Sequence, residues 1–257
     1  MPVLISFLNA TAGLAAAFCG IVIQNRLLIA CGATVAASGS ILTAVMCNGM
    51  NRGIGKVFTG TGISKGKAMN GFVTPKDVPQ LKIPKPQEAL NKARMLLNGA
   101  KKVIIIPGYG MALANAQFKV AELAKKLEKH GADVKFAIHP VAGRMPGHMN
   151  VLLAEAEIDY DKLKEMDDVN PEFPSSDVVL VVGACDVVNP EAIKTEGTPI
   201  SGMPILKAHE AKNVLVCNLD QRPGYSGVEN TLYRDPKTIL LFGDAGKTIT
   251  ELSAGLA

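Results

Sequence analysis

The sequence contains no tryptophan, and only four tyrosines and eight phenylalanines occur among its 257 residues. Charged residues are also few, at 19 %, and in the first 50 positions Arg26 is the only one. The five cysteines, Cys19, Cys31, Cys47, Cys185 and Cys217, show neither CxxC nor Cys/His spacing. That absence argues against a zinc site or a disulfide framework; reduced, buried thiols and no metal are expected instead. No basic run is interleaved with aromatics and the net charge is only +4, so nucleic acid is not an expected partner. Apolar residues are abundant, at 48 %, which excludes a disordered chain. They are unevenly spread: nearly all the charge lies after Asn51, so the chain reads in two parts.

The first part is apolar from Leu4 to Ile23 and again from Leu27 to Cys47. Each stretch is about 20 residues long, enough for a helix to cross a bilayer core of roughly 30 Å. Only Gln24, Asn25 and Arg26 separate them, so residues 1–50 read as a transmembrane helical hairpin. Small residues are dense (Ala12, Gly13, Gly20, Ala33, Ala36 and Gly39 among them), which suits close packing of helices within a larger bundle. Arg52, Lys56, Lys65 and Lys67 follow the second helix, and the positive-inside rule places that end in the cytoplasm. Asn9 and Asn25 are polar positions suited either to a proton path or to helix capping and interhelical hydrogen bonds.

Residues 51–86 carry Gly53, Gly55, Gly60, Gly62, Gly66 and Gly71, then Pro75, Pro79, Pro84 and Pro86, the composition of a linker. Residues 87–257 form the second part. Its helical spacing begins at Ala89 and Leu90. Five β-branched or apolar runs then read as buried strands: Val103 to Ile106, Val134 to Ile138, Val178 to Gly183, Val214 to Cys217, and Ile239 to Gly243. A long amphipathic helix is expected from the turn at Gly110 to about His130, ended by Gly131. Strands alternating with helices predict an α/β fold, a doubly wound parallel sheet of Rossmann-like type. Ligands of such sheets bind at the carboxyl ends of the strands.

Five loops follow those strand ends. The first contains Gly108, Tyr109, Gly110, Met111 and Ala112, a GxG turn in which Gly110 allows backbone to approach a phosphate, or in which the glycines serve packing alone. The second starts at His139 and runs through Val141, Ala142, Gly143, Arg144, Met145 and Pro146 to His148; Arg144 is suited to a phosphate, and the residues suggest no partner for His148. The third holds Gly183, Ala184, Cys185, Asp186 and Val187, where Asp186 either bonds a ligand amide or ribose, or caps the next turn. The fourth holds Asn218, Leu219, Asp220, Gln221, Arg222, Pro223, Gly224 and Tyr225. The fifth holds Asp244 and Ala245, with Asp244 suited to an N-cap.

The string HPVAGRMPGHMNVLLAEA (139–156) resembles, almost letter for letter, the nucleotide lid loop of domain III in the proton-translocating nicotinamide nucleotide transhydrogenases. IPGYGMALA (106–114), DVVLVVGACDVVNP (177–190), ISGMPIL (200–206), GYSGVENTLY (224–233) and LLFGDAGK (240–247) fall in that family's order, and ASGSILTAVMCNGMNR (37–52) resembles the last helix of its membrane domain. The resemblance covers essentially the whole chain. It implies the beta subunit's NADP(H)-binding domain, and direct hydride transfer to or from NAD(H) held by a partner alpha subunit or domain, coupled to proton movement. It further implies an oligomer in a bacterial inner membrane, further membrane helices, and a nucleotide domain on the cytoplasmic side. The five loops, with Gly202 and Met203, match nucleotide contacts, and Asp186 matches an acid tied to coupling. One departure bears on the nucleotide: the family's fourth loop begins Lys-Arg-Ser, which holds the 2′-phosphate of NADP, whereas Asn218, Leu219 and Asp220 stand here. Asp220 leaves open the alternative of NAD(H) in the same fold. A second departure is Arg26 at the hairpin tip. The scarcity of spanning helices leaves open a non-catalytic, membrane-tethered nucleotide-binding module.

Overall fold

A computed structural model describes residues 2–59 and 86–256; the expected linker lies outside the described residues from 60 to 85. Helices α1 (Pro2–Val22) and α2 (Arg26–Gly49) are long and apolar enough to cross a membrane. The tip between them is closed by Asn25, whose Oδ1 accepts the Leu28 N–H at 3.1 Å and caps α2. The two helices meet through their small residues. A Cβ on Gly32 would stand 2.5 Å from the Ala17 nitrogen, and one on Gly39 would stand 2.9 Å from the Ala10 Cβ. Polar side chains join the same seam: the Thr43 hydroxyl donates to Ser6 Oγ at 3.0 Å. The outer faces carry exposed Leu8, Phe18, Leu27 and Ile41. Cys19 and Cys31 are exposed there too, which corrects the expectation of buried thiols for these two, since they lie on the outer faces and not in the seam. All five cysteines are free.

After α3 (Ile54–Thr59) and the undescribed segment, α4 (Pro86–Gly99) leads into a six-stranded, all-parallel sheet. Its strands are β1 (Lys102–Pro107), β2 (Asp133–Ile138), β3 (Leu163–Glu165), β4 (Val178–Val182), β5 (Val214–Asn218) and β6 (Thr238–Phe242), in the order β3-β2-β1-β4-β5-β6. The direction of winding reverses between β1 and β4, and such a switch point opens a crevice at the carboxyl edge. Alternate strand residues face opposite ways. Val103, Ile105 and Leu180 join one core with α4, α6 (Gln117–Lys129) and α10 (Ala245–Ala254). Ile104, Ile106 and Val179 join the other, which is covered largely by short turns of the 166–233 region through Phe173, Leu206, Leu232 and Tyr233.

The expected long helix after Gly110 is two: α5 (Tyr109–Leu113) and α6, separated at Asn115, whose φ of 47° is left-handed and cannot continue a helix. Gly131 ends α6 in the left-handed conformation, φ 85°, as a residue just beyond a helix end often does. The remaining helices are short: α7 (His148–Glu155), α8 (Met166–Val169) and α9 (Glu191–Lys194). Strand β3 had no counterpart among the five expected strands.

Candidate functional site

The switch point is built from three glycines of two loops pressed together. A Cβ on Gly108 would lie 2.3 Å from the Gly183 oxygen, and one on Gly183, itself at φ 69°, would lie 2.3 Å from the Met111 nitrogen. The Gly108 N–H donates to Val182 O at 2.8 Å and the Gly110 N–H to Gly183 O at 2.9 Å. The close approach that these glycines permit is therefore loop to loop. The Gly110 amide, which the sequence offered to a phosphate, is engaged by Gly183, and the Met111 N–H donates to Gly108 O at 3.1 Å. The Met111 side chain is wholly buried.

The loop after β2 folds over this turn. The Arg144 guanidinium carbon stands 4.5 Å from the centre of the Tyr109 ring, a cation–π contact. The Arg144 N–H donates to His148 Nδ1 at 3.2 Å, and Gly143, at φ 97°, has no room for a Cβ beside that ring. His148 thus has a partner that no spacing in the sequence disclosed. The root of the loop is fixed by His139. Its Nδ1 accepts the Val141 N–H at 3.2 Å, which leaves Nε2 to donate to Pro204 O at 2.8 Å. Burial holds the His139 imidazole neutral, with its pKa lowered to about 4. Ala142 is buried, while Met145 is exposed.

Asp186 lies beyond β4 and does not cap the turn that follows it. Its Oδ2 accepts the Ser226 N–H at 2.9 Å and its Oδ1 the Ser226 hydroxyl at 2.6 Å. Gly224 fits against the same carboxylate, where a Cβ would come within 2.7 Å of Oδ1. Asn189 caps the next turn instead, accepting the Glu191 N–H at 3.1 Å. Cys185, beside Asp186, is pushed up in pKa chiefly by burial, which keeps it a thiol.

In the loop after β5 the side chains diverge. Asn218 turns inward and donates to Ala184 O at 2.9 Å and to the Tyr233 hydroxyl at 2.6 Å. Leu219 and Tyr225 are exposed. Asp220 accepts the Arg222 N–H at 2.9 Å on Oδ1, and its Oδ2 stands 3.0 Å from Arg222 Nε. After β6, Asp244 accepts the Lys247 N–H at 2.9 Å and caps α10; Ala245 is buried behind it.

Gly202 and Met203 stand in a different setting. Met203 belongs to a small core with Ala192, Ile200 and Ile205. A Cβ on Gly202 would meet Asn51 Nδ2 at 2.5 Å, just past the end of α2. Arg52 donates through Nη2 to Pro199 O at 2.7 Å, and a Cβ on Gly49 would lie 2.8 Å from Pro140 Cγ. Val141 packs against a cluster of Val3, Met46 and Cys47. The exit of α2 therefore touches both the root of the Arg144 loop and the 199–203 turn. Residues 51 onward carry the composition of a linker, and no pattern in the sequence disclosed this joint or the roles of His139 and Ser226.

Residues 1–255 match the family described as NAD(P) transhydrogenase beta subunit. Relatives from Rhodospirillum rubrum, named NAD(P) transhydrogenase subunit beta, are 46 % identical over 254 residues, or 98 % of this chain. The chain spans 53 % of the length of those relatives. Among solved structures, a thiamin diphosphate-dependent enzyme from Mycobacterium smegmatis is 20 % identical with a TM-score of 0.39, covering 72 % of this chain and 31 % of its own. An exopolyphosphatase-related protein from Bacteroides fragilis is 11 % identical with a TM-score of 0.39, covering 69 % and 46 %. Neither likeness is close enough to bear on function. The family match over nearly every residue does, and the chain belongs to the NAD(P) transhydrogenase beta-subunit family.

Proposed function

We propose that this chain is the part of a transhydrogenase beta subunit that holds NADP(H) and exchanges a hydride with NAD(H) bound by an alpha subunit or domain. The observation that carries the reading is the Arg144 loop stacked on Tyr109 above the β1–β4 switch point. It sets a cation and a ring over the crevice where doubly wound sheets take dinucleotides. The residues fit such a ligand: Arg144 at the β1 turn and Arg222 beyond β5 suit separated anionic groups, and Asp186 stands between them at the end of β4.

The nicotinamide ring, when bound, supplies the hydride. The chain's own work is positioning and exclusion of water, since hydride transfer needs no side-chain nucleophile. Asp186, fixed by Ser226, presents an oriented carboxylate at the switch point. The Arg144 loop, anchored by His139 to Pro204, covers the turn. The balance is NADPH + NAD⁺ giving NADP⁺ + NADH, so any proton coupling acts through conformation. The joint between α2 and the loops at Pro140 and Gly202 offers a route for it. On this reading residues 1–50 belong to the membrane domain. The basic flank after α2 supports a cytoplasmic side for the nucleotide domain, residues 87–257.

The test mixes the full chain in detergent with an NAD(H)-binding partner domain, NAD⁺, and NADPH carrying deuterium at the transferable C4 position. Deuterium is expected in NADH and not in water. A chain that binds nucleotide yet transfers nothing would favour the tethered, non-catalytic module.

A further inference from the structure

Resting on the reading of residues 1–50 as membrane-spanning, we propose that the cavity at the exit of α2 binds the headgroup of an anionic phospholipid, with Arg52 and Lys56 meeting its phosphate. The cavity measures about 680 Å³. Its polar lining is Asn48, Asn51, Arg52 and Lys56, and its apolar lining includes Ala44 and Ile54.

No Asp or Glu occurs before Asp77, so every formal side-chain charge on the cavity and on the helices beside it is positive. Among the described residues no carboxylate pairs with Arg52 or Lys56. Arg52 uses Nη2 on Pro199 O at 2.7 Å, and its guanidinium has further donors to offer a phosphate. The amides of Asn48 and Asn51 add neutral donors. The carboxyl end of α2 contributes partial negative charge. Its last carbonyls are capped, however: Met46 O accepts the Met50 N–H at 3.1 Å and Cys47 O accepts the Arg52 N–H at 3.0 Å. Two full cations outweigh what remains.

The depth of the cavity suits a lipid. Helix α2 has 24 residues and is therefore about 36 Å long, so a bilayer core of roughly 30 Å ends close to Gly49. Helix α3 turns back at the same level. Its Phe58 meets Phe7 edge to face with ring centres 4.6 Å apart, and Val57 packs on Val3, Met46 and Cys47. Ile54 and Phe58 remain exposed beside the two cations. A soluble anion would use the cations and leave both apolar side chains in water. A phospholipid covers them with its glycerol and first methylenes while its phosphate reaches Arg52 and Lys56, as basic pockets beside membrane helices do with anionic headgroups. Arg52 then joins the headgroup to the 199–203 turn of the sheet domain.

The chain lacks tryptophan, so Ile54→Trp supplies a single emitter at the cavity and Leu8→Trp one on the outer face of α1. The full chain in phosphatidylcholine vesicles is titrated with phosphatidylglycerol or phosphatidylcholine brominated near the carboxyl end of one acyl chain. The Ile54→Trp emission is expected to be quenched at about tenfold lower content of the brominated phosphatidylglycerol, the scale of two basic side chains at an anionic surface. Leu8→Trp is expected to respond to both lipids alike. Arg52→Gln and Lys56→Gln, each added to Ile54→Trp, should reduce the preference. Among the described residues the Lys56 ammonium has no hydrogen-bond partner, so Lys56→Gln leaves the fold in place. Equal quenching of Ile54→Trp by the two lipids, or a preference unchanged in both variants, overturns the proposal while leaving the hairpin in the membrane. No quenching of Leu8→Trp by either lipid overturns the membrane reading as well. Inorganic phosphate separates the two sources of the anion. The lipid is expected to stay and keep quenching when phosphate is added; recovery of emission with phosphate, but not with chloride at equal ionic strength, would assign the cavity to the free ion and overturn the lipid.

Discussion

At the scale of single residues, His139 shows how burial becomes a constraint on a loop. The ring is wholly inside, accepts at Nδ1 and donates at Nε2, and so fits only as the neutral tautomer just described. Its pKa in the folded chain is about 4, against 6.5 for a free imidazole. The unfolded chain therefore takes up the proton first as pH falls. The contribution of the neutral ring is complete above pH 6.5 and is lost progressively down to about pH 4. A gap of about 2.5 pH units at about 1.4 kcal/mol each gives a loss of about 3 kcal/mol. Thermal melts of the full chain between pH 7 and pH 4 are expected to show this component, and His139→Gln should remove it. A His139→Gln chain with the same pH dependence as wild type would show that the titration lies elsewhere. His139 was visible in the sequence only as the first letter of a loop. Its role depends on Pro204, 65 positions away, and no local pattern encodes that pairing.

At the scale of elements, the sheet was legible and its covering was not. The runs at Val103, Val134, Val178, Val214 and Ile239 are β-branched or apolar and largely buried, and each became a strand. Strand β3 has only three residues, Leu163, Lys164 and Glu165, none of them buried, so it carries no hydrophobic signal of its own. The break at Asn115 was hidden for a related reason: the stretch around it contains no glycine or proline to announce a turn. The loop order of the site was readable from strand ends, but the purpose of its glycines was not. Gly108, Gly110 and Gly183 serve the contact between the β1 and β4 loops. Gly183→Ala is accordingly expected to be costly. A left-handed φ of 69° and an overlap at 2.3 Å with the Met111 nitrogen together cost about 2–4 kcal/mol. The melting temperature and the nucleotide affinity should fall together, because both loops move. A variant that melts like wild type would contradict the close approach.

At the scale of the whole molecule, the membrane hairpin and the sheet are joined by more than a chain connection. Gly49, Asn51 and Arg52 meet Pro140, Gly202 and Pro199 respectively. Composition could not reveal this, since a glycine-rich stretch reads the same whether it is loose or tightly packed. A Cβ on Gly49 would stand 3.4 Å from Pro140 Cβ, close to the separation that a disulfide spans. The double variant Gly49→Cys, Pro140→Cys is therefore expected to cross-link under mild oxidation, detectable by a changed peptide map. Absence of the cross-link, with both thiols reactive to alkylation, would show that the two parts do not meet there. The same joint gives the proposed proton coupling a physical path, because Pro140 and Val141 begin the loop that carries Arg144.

On the proposed function a nicotinamide dinucleotide lies across the carboxyl edge of the sheet, over the β1–β4 switch point. Hydrogen–deuterium exchange of the full chain with and without NADPH tests it most directly. Slower exchange on binding is expected in residues 108–114, 139–148, 183–188 and 218–226, with no change at the amino ends of the strands near 101–103 and 132–134. Protection confined to the amino edge, or no protection anywhere at saturating nucleotide, would contradict it.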